Sequence, residues 1–158
     1  MKYYKPMKKT QTDNTNQFVE QMGLIAQGDG LPRISGQIMG LLLIEDGPFS
    51  FAEIAQRLSI SRASVSTNTR LLEGLRIIDR VSKVGERGDF FQYAVNPYAN
   101  LLQGVTQRME KASLVVKEAR TALPKSWEKS QSRLADLESF YSEYRKSTTQ
   151  LIKQLSKE

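Results

Sequence analysis

Residues 61–73 read Ser-Arg-Ala-Ser-Val-Ser-Thr-Asn-Thr-Arg-Leu-Leu-Glu, a pattern that predicts an amphipathic helix. Val65, Thr69 and Leu72 fall at i, i+4 and i+7 and form a narrow apolar stripe. Ser61 stands just before the helix, where its hydroxyl can cap free N–H groups. Because serine and threonine are mediocre helix formers, propensity does not explain the polar side chains that lie mostly off the stripe. These side chains are Arg62, Ser64, Ser66, Thr67 and Arg70.

The polar side of this helix is suited to DNA. Small side chains let a helix approach closely in the major groove, hydroxyl and N–H groups bond phosphate, and arginine reaches guanine edges. Ser61 and Asn68 are expected to position the helix through capping or phosphate bonds. The alternative is a polar surface helix, and this helix alone favours neither interpretation.

The residues before the helix complete a helix-turn-helix pattern. Ser50 and Glu53 fit a capping box. The short helix that they begin has an apolar face formed by Phe51, Ile54, Ala55 and Leu58. Residues 59–61 leave room for only a tight turn, in which Ile60 is expected to fill the angle between the two helices. Two short helices joined in this way are typical of a helix-turn-helix.

A β-hairpin is predicted directly after the second helix. Residues 77–84 and 90–95 are β-prone runs, and residues 85–89 between them are a turn cluster. A hairpin in this position is a wing, from which a cation can reach phosphate or the minor groove. The alternative is a β-ribbon that covers the core, and the zero net charge of residues 77–96 does not decide between them. The candidate cations are Arg80, Lys83 and Arg87.

These stretches together resemble the GbsR branch of the MarR-type winged-helix transcription regulators. The resemblance rests on residues 30–42 (Gly-Leu-Pro-Arg-Ile-Ser-Gly-Gln-Ile-Met-Gly-Leu-Leu), 61–68 and 85–87, and it covers about residues 17–100. It implies a homodimeric, sequence-specific DNA-binding regulator of bacteria or archaea, often responsive to a small molecule. The family usually has glycine at the end of the second helix, where this chain has Arg76. Either Arg76 adopts the positive φ that such a position often needs, or the helix ends differently.

The composition bounds the class of protein. A chain of 158 residues, 39% hydrophobic and 25% charged, permits one domain with a modest core, with or without a helical extension. The chain has neither Cys nor His. It therefore lacks the residues for a disulfide, a zinc site or a His-based catalytic centre, and we expect no enzyme activity, metal or cofactor. With no membrane-length apolar run and no secretory signal, a cytoplasmic protein is expected.

The beginning of the chain is strongly basic. The net charge is +6, and the first ten residues carry Lys2, Lys5, Lys8 and Lys9. A mild basic excess suits a polyanionic partner without demonstrating one. Residues 1–13 are expected to form a basic tail that is disordered or, alternatively, an arm on DNA or on a partner subunit. A helix is predicted to follow over residues 14–28, with Phe18, Met22 and Ile25 on one side.

The next predicted helix contains two glycines. Pro32 suits its first turn, and its apolar face is formed by Ile34, Ile38, Leu41 and Leu42. Gly36 and Gly40 lie one turn apart inside it, and each costs about 0.5–1 kcal/mol against alanine. We therefore expect another helix of the core or of a dimer to pack closely at these glycines; a ligand wall is the alternative.

The last third of the chain predicts two long helices, interrupted at residues 124–128, with an a/d seam of about three heptads each. Each helix is roughly 40 Å long, too long for its whole seam to be buried on a small winged helix. We therefore expect a dimer interface in which each chain's helix pair packs against its mate's. The predicted dimer contacts are Leu102, Val105, Met109, Leu134, Leu137, Tyr141, Tyr144, Leu151 and Leu155.

Four aromatic residues are candidate walls of an effector pocket: Trp127, Phe140, Tyr141 and Tyr144. Aromatic rings can enclose a quaternary ammonium group, and choline-type effectors are what one branch of the resembled family implies. The commoner role of such rings is interface core, and spacing alone does not define a pocket.

The sequence thus predicts a mainly α (α+β) fold. Residues 14–97 would form a winged helix-turn-helix domain with a β-hairpin wing, and residues 98–158 a region of long C-terminal dimerisation helices. The predicted partners are double-stranded DNA, a second copy of the chain and, through the resemblance, a small-molecule effector, with no membrane. A two-fold dimer would present two recognition helices about 34–36 Å apart and read an inverted repeat. The alternative function is a winged-helix protein-interaction module without DNA binding, which an acidic or apolar outer helix face would indicate.

Overall fold

The computed structural model describes residues 9–156, which form helices and three short strands. The helices are α1 (Lys9–Gly28), α2 (Arg33–Ile44), α3 (Phe51–Leu58), α4 (Arg62–Gly74), α5 (Pro97–Ala122) and α6 (Glu128–Leu155). The strands are β1 (Phe49–Ser50), β2 (Ile78–Val81) and β3 (Phe90–Tyr93). This architecture confirms the predicted fold class. None of the helices between residues 9 and 156 combines the length and apolar character that a membrane span requires.

The chain divides into two compact units, the first ending at Val95 and the second beginning at Asn96. Residues 1–8 of the predicted basic tail lie outside the described residues. Helix α1 already begins at Lys9, so residues 9–13 are helical rather than part of a tail.

The strands form one antiparallel sheet in the order β1-β3-β2. β2 pairs with β3 over residues 78–81 and 90–93, which is the predicted hairpin, and β1 adds to the other edge of β3. The hairpin strands are shorter than predicted: β2 ends at Val81 and β3 at Tyr93, and Asn96, in a left-handed conformation (φ 56°), precedes the first residue of α5. β1 has only two residues, too few for periodicity to reveal.

Helix α2 packs closely against α1 at its glycines. A Cβ at Gly36 would clash with the carbonyl oxygen of Met22 and lie 2.6 Å from the Cβ of Ala26. A Cβ at Gly40 would lie 3.1 Å from the Cα of Val19. The neighbour predicted for these glycines is therefore a helix of the core.

The buried face of α1 carries small apolar residues rather than the large ones that the sequence places on one side. Val19 and Ala26 are each 6% exposed, whereas Phe18 is 37% and Ile25 57% exposed. The side of α1 that Phe18 and Ile25 share is therefore not the side that packs against α2. The physical reason is the closeness of the two helices: the glycines of α2 leave room only for small residues such as Gly23 and Ala26 between the backbones.

In the second unit, α5 and α6 pack against each other as an antiparallel pair. The hydroxyls of Thr106 and Thr148 are 2.9 Å apart, and toward the other end Arg120 donates to Glu138 at 2.6 Å. The helices are separated by residues 123–127, which agrees with the predicted interruption.

Candidate nucleic-acid interface

The turn of the helix-turn-helix is built from serines. Ser50 caps α3 in a complete capping box with Glu53, as predicted. Ser59 ends α3 in a left-handed conformation (φ 54°), and Ile60 is half-buried in the turn. The Ser61 hydroxyl then accepts the backbone N–H of Ser64 at 3.1 Å and starts α4. Both helices of the motif therefore begin with a side-chain cap.

The inner face of α4 is the predicted apolar stripe. Val65, Thr69 and Leu72 are each 0% exposed, and Thr69 donates its hydroxyl to the carbonyl oxygen of Val65 at 2.9 Å. Asn68 lies beside this stripe and is 6% exposed. Its amide donates to the carbonyl oxygen of Ser64 at 2.8 Å, and its Oδ1 accepts from Ser35 of α2 at 2.8 Å. Asn68 therefore orients α4 from inside the protein, and its side chain faces α2 rather than phosphate.

The outer face of α4 carries small side chains and two arginines. Arg62, Thr67 and Arg70 are exposed, and Ser66 and Ser64 are partly exposed at its edges, with the Ser64 and Ser61 hydroxyls 2.9 Å apart. The sequence analysis missed Ala63, which is exposed on the same face, four residues before Thr67 and seven before Arg70. A methyl group there permits the closest approach of the helix to another surface. The spacing would have revealed it, had small apolar residues been considered along with polar ones.

Helix α4 ends in a Schellman motif centred on Arg76. The N–H of Ile77 bonds the carbonyl oxygen of Leu72 at 3.0 Å, and the N–H of Arg76 bonds that of Glu73 at 2.9 Å. Arg76 has φ 59°. Of the two alternatives for this position, the structure shows the first: arginine adopts the conformation that glycine takes at little cost.

Arg80 is held by carboxylates on both sides. Its Nε and Nη2 donate to Glu73 at 3.0 and 2.9 Å, and its Nη1 donates to Asp89 at 3.0 Å. The pKa of Arg80 is raised above its ordinary value, and the hydrogen bond to Glu73 is the largest cause of this increase. These bonds engage the guanidinium within the protein, which differs from the expected groove contact.

The wing loop, residues 82–89 between β2 and β3, carries two cationic side chains in different surroundings. The Lys83 ammonium lies 4.3 Å from the centroid of the Phe90 ring. Residues 83–86 form a turn closed by the Glu86 N–H and the Lys83 carbonyl oxygen at 3.2 Å, with Gly85 at φ 82°. Arg87 is exposed beyond this turn. The loop thus presents Arg87 outward and holds Lys83 against the sheet.

The second unit places the aromatic candidates only partly together. The ring of Phe140 lies 5.7 Å from that of Tyr141 and 5.9 Å from that of Tyr144. Trp127 stands at the start of α6, about 20 Å along the helix from Phe140. Within α6, therefore, three of the four rings cluster and Trp127 does not join them.

The seam residues are used unequally within the chain. Leu137 and Leu151 are 38% and 43% exposed, and the other predicted dimer contacts are half-buried. Phe140 is 56% exposed beside them, as are Leu114 (57%) and Val115 (65%) on α5. Each helix therefore keeps large apolar side chains in solvent.

Comparison with known proteins gives a consistent result for the first unit. Residues 29–88 match the model of the MarR family. The HTH-type transcriptional regulator MmpR5 of Mycobacterium tuberculosis is 36% identical over 84 residues, which are 52% of this chain and 51% of that protein. The chain thus spans about half the length of this relative.

One solved structure extends the likeness to most of the chain. A crystal structure of a transcriptional regulator superposes with a TM-score of 0.81 at 25% identity, covering 92% of this chain and 99% of that one. A variant of S. aureus MepR bound to an oligodeoxyribonucleotide has a TM-score of 0.42 at 18% identity, over 81% of this chain and 90% of that one. The first of these shares the arrangement of helices and sheet described above.

Proposed function

We propose that this chain is a sequence-specific DNA-binding transcriptional regulator, because residues 29–88 match the model of the MarR family and fold as a winged helix-turn-helix. The observation that carries the proposal is the exposed face of α4. Arg62 and Arg70 reach base edges in the major groove, and Ser64, Ser66 and Thr67 bond phosphates or base edges. Lys83 and Arg87 contact the DNA backbone or the minor groove. Ser61 and Asn68 keep the helix in place.

The regulator acts as a homodimer in the cytoplasm. The exposed apolar residues of α5 and α6 supply the contact between copies, because large apolar side chains exposed together on a surface mark sites of protein–protein interaction. Two-fold symmetry then places two copies of α4 on an inverted repeat, one helical turn apart. The resemblance to the GbsR branch implies a further partner, a small-molecule effector of the choline type.

Selection from random-sequence DNA with the full-length protein tests this function. The expected result is an enriched inverted repeat whose binding, measured by fluorescence anisotropy, weakens steeply as salt rises. Pools that show no enrichment at low or at moderate salt would reject it. The alternative, a protein-interaction module, would then be favoured, although the α4 face has neither the acidic nor the apolar character that such a module would need.

A further inference from the structure

Arg80 connects three parts of the winged helix. It lies on β2, forms a two-pronged contact with Glu73 of α4, and bonds Asp89 at the end of the wing loop. Its guanidinium also stands 5.6 Å from the ring centroid of Phe91, its cross-strand neighbour, which is 0% exposed. One side chain therefore touches α4, the loop and the core of the sheet.

The geometry of this contact restricts rotation. Two parallel hydrogen bonds to one carboxylate fix the plane of a guanidinium, which a single bond does not. The Arg80 and Glu73 side chains are 44% and 24% exposed, so the pair adds little to global stability. The pair instead fixes the orientation of the wing loop relative to α4, because neither can turn without breaking one of the bonds to Arg80.

The wing loop has little stiffness of its own. Gly85 and Gly88 have φ 82° and 117°, and glycine in such positions moves at low cost. Arg87 lies between them and is therefore carried by a loop that is fixed mainly at its ends. The bond from Arg80 to Asp89, next to Gly88, is one of those fixed points.

We propose that Arg80 is a positioning residue that sets the angle between α4 and the wing. Through this angle it sets the spacing between the base pairs read by α4 and those touched by Arg87. The proposal rests on the proposed function, because a spacing on DNA exists only if both elements bind DNA. It replaces the expectation that Arg80 itself enters a groove.

Glu73→Gln separates positioning from simple charge. The substitution removes a negative charge near the DNA, so Coulomb attraction alone would tighten binding. If Glu73 acts by holding Arg80, it instead weakens binding to the selected DNA, by about fivefold to tenfold for the loss of a bidentate pair. Glu86→Gln is the matched control, since it removes the same charge from the wing loop without touching Arg80. It is expected to leave binding unchanged or slightly tighter.

Arg80→Gln gives the second test. We expect weaker binding with an unchanged slope of log K against log salt, because no phosphate contact is lost. A second DNA site carries one extra base pair between the base pairs read by α4 and those touched by Arg87. The wild type should prefer the selected site to this longer one, and Arg80→Gln should lose that preference. Combined with Glu73→Gln, it should add little further loss, since the two substitutions break one contact.

A measurement without DNA keeps the two proposals apart. Backbone ¹⁵N order parameters of residues 82–89 should fall in Glu73→Gln and Arg80→Gln and not in Glu86→Gln. Tighter binding by Glu73→Gln, or a salt slope reduced by about one in Arg80→Gln, would overturn positioning and make Arg80 a phosphate contact. A wild type that prefers no DNA sequence would instead overturn the proposed function. Whether or not the wild type prefers a DNA sequence, unchanged order parameters in Glu73→Gln and Arg80→Gln would overturn the link between Arg80 and the loop.

Discussion

The Ser35 hydroxyl donates a 2.8 Å hydrogen bond to Oδ1 of Asn68, and the two residues are 0% and 6% exposed. This bond connects α2 to α4 from inside the protein. A shift or rotation of α4 would leave two buried polar groups unpaired, which costs more than the bond itself contributes. The orientation of the outer face therefore depends on a polar contact on the inner one.

Asn68→Ala is expected to lower the free energy of unfolding by about 1–3 kcal/mol, because the Ser35 hydroxyl loses its acceptor. Urea titration measures the change. The double variant with Ser35→Ala should cost less than the sum of the single variants. Thr67→Ala, on the exposed side of the same helix, is the control and should stay within about 0.5 kcal/mol of wild type. Full stability of Asn68→Ala with a reduced salt slope of DNA binding would restore the phosphate role.

Gly36→Ala is expected to destabilise the first unit by about 3 kcal/mol, the upper part of the range for overpacking. The added methyl group would meet the carbonyl oxygen of Met22, which is backbone of α1 and cannot rotate away. Gly104→Ala is the matched control inside a helix: its methyl group would lie 3.6 Å from Arg108 at ordinary contact distance and should stabilise α5 by about 0.5–1 kcal/mol. Thermal unfolding of both variants measures the difference. Equal effects would show that α1 and α2 are not closely packed at Gly36.

The features of the fold that the sequence predicted correctly depend mostly on local patterns. The capping box at Ser50, the cap at Ser61 and the stripe through Val65 were all confirmed, because each depends on residues within one helical turn. Close approach at Gly36 was also predictable, since an interior glycine is unfavourable without a packing reason.

What the sequence could not supply depends on contacts distant along the chain. The partner of Asn68 is thirty-three residues away in α2, and those of Arg80 are Glu73 and Asp89 on two other segments. Periodicity shows that such side chains are polar and does not show which way they turn. The same limit applies to α1, where the glycines of the neighbouring helix, and not the size of the apolar side chains, decide which face is buried.

Arg76→Gly is expected to stabilise the protein by about 0.5–1 kcal/mol. Arg76 has φ 59° in the Schellman motif, and only glycine occupies that region without a steric cost from Cβ. Arg76→Ala is the control, because it removes the side chain and keeps the Cβ. Denaturant midpoints should rise for glycine and not for alanine. A similar rise for both would assign the effect to the arginine side chain instead of the backbone.

The capping box makes stability depend on pH. The pKa of Glu53 lies below its ordinary value. The largest cause is the hydrogen bond that its carboxylate accepts from the Ser50 backbone N–H, and the positive charge of Lys83 lowers the pKa further. A carboxyl whose pKa is lower in the folded state stabilises that state above its unfolded pKa, about 4.3, and loses this contribution as the pH falls through the folded value. Between pH 6 and pH 3, wild type should therefore lose more unfolding free energy than Glu53→Gln. Parallel losses in urea titrations would show that the carboxylate is not linked to folding.

Arg70→Ala is expected to weaken binding to the selected DNA by about 1–3 kcal/mol, the range for a bidentate contact to guanine. Arg70 is exposed on the outer face of α4, seven residues after Ala63, so its side chain lies where the helix can approach a groove most closely. The loss should be smaller on DNA in which the corresponding base pair is changed, because the contact is then absent in wild type as well. Arg133→Ala on α6, an exposed arginine distant from this helix in sequence, is the control for charge. An equal loss on all DNA sequences, with a salt slope lower by about one, would make Arg70 a phosphate contact and leave Arg62 as the candidate for base recognition.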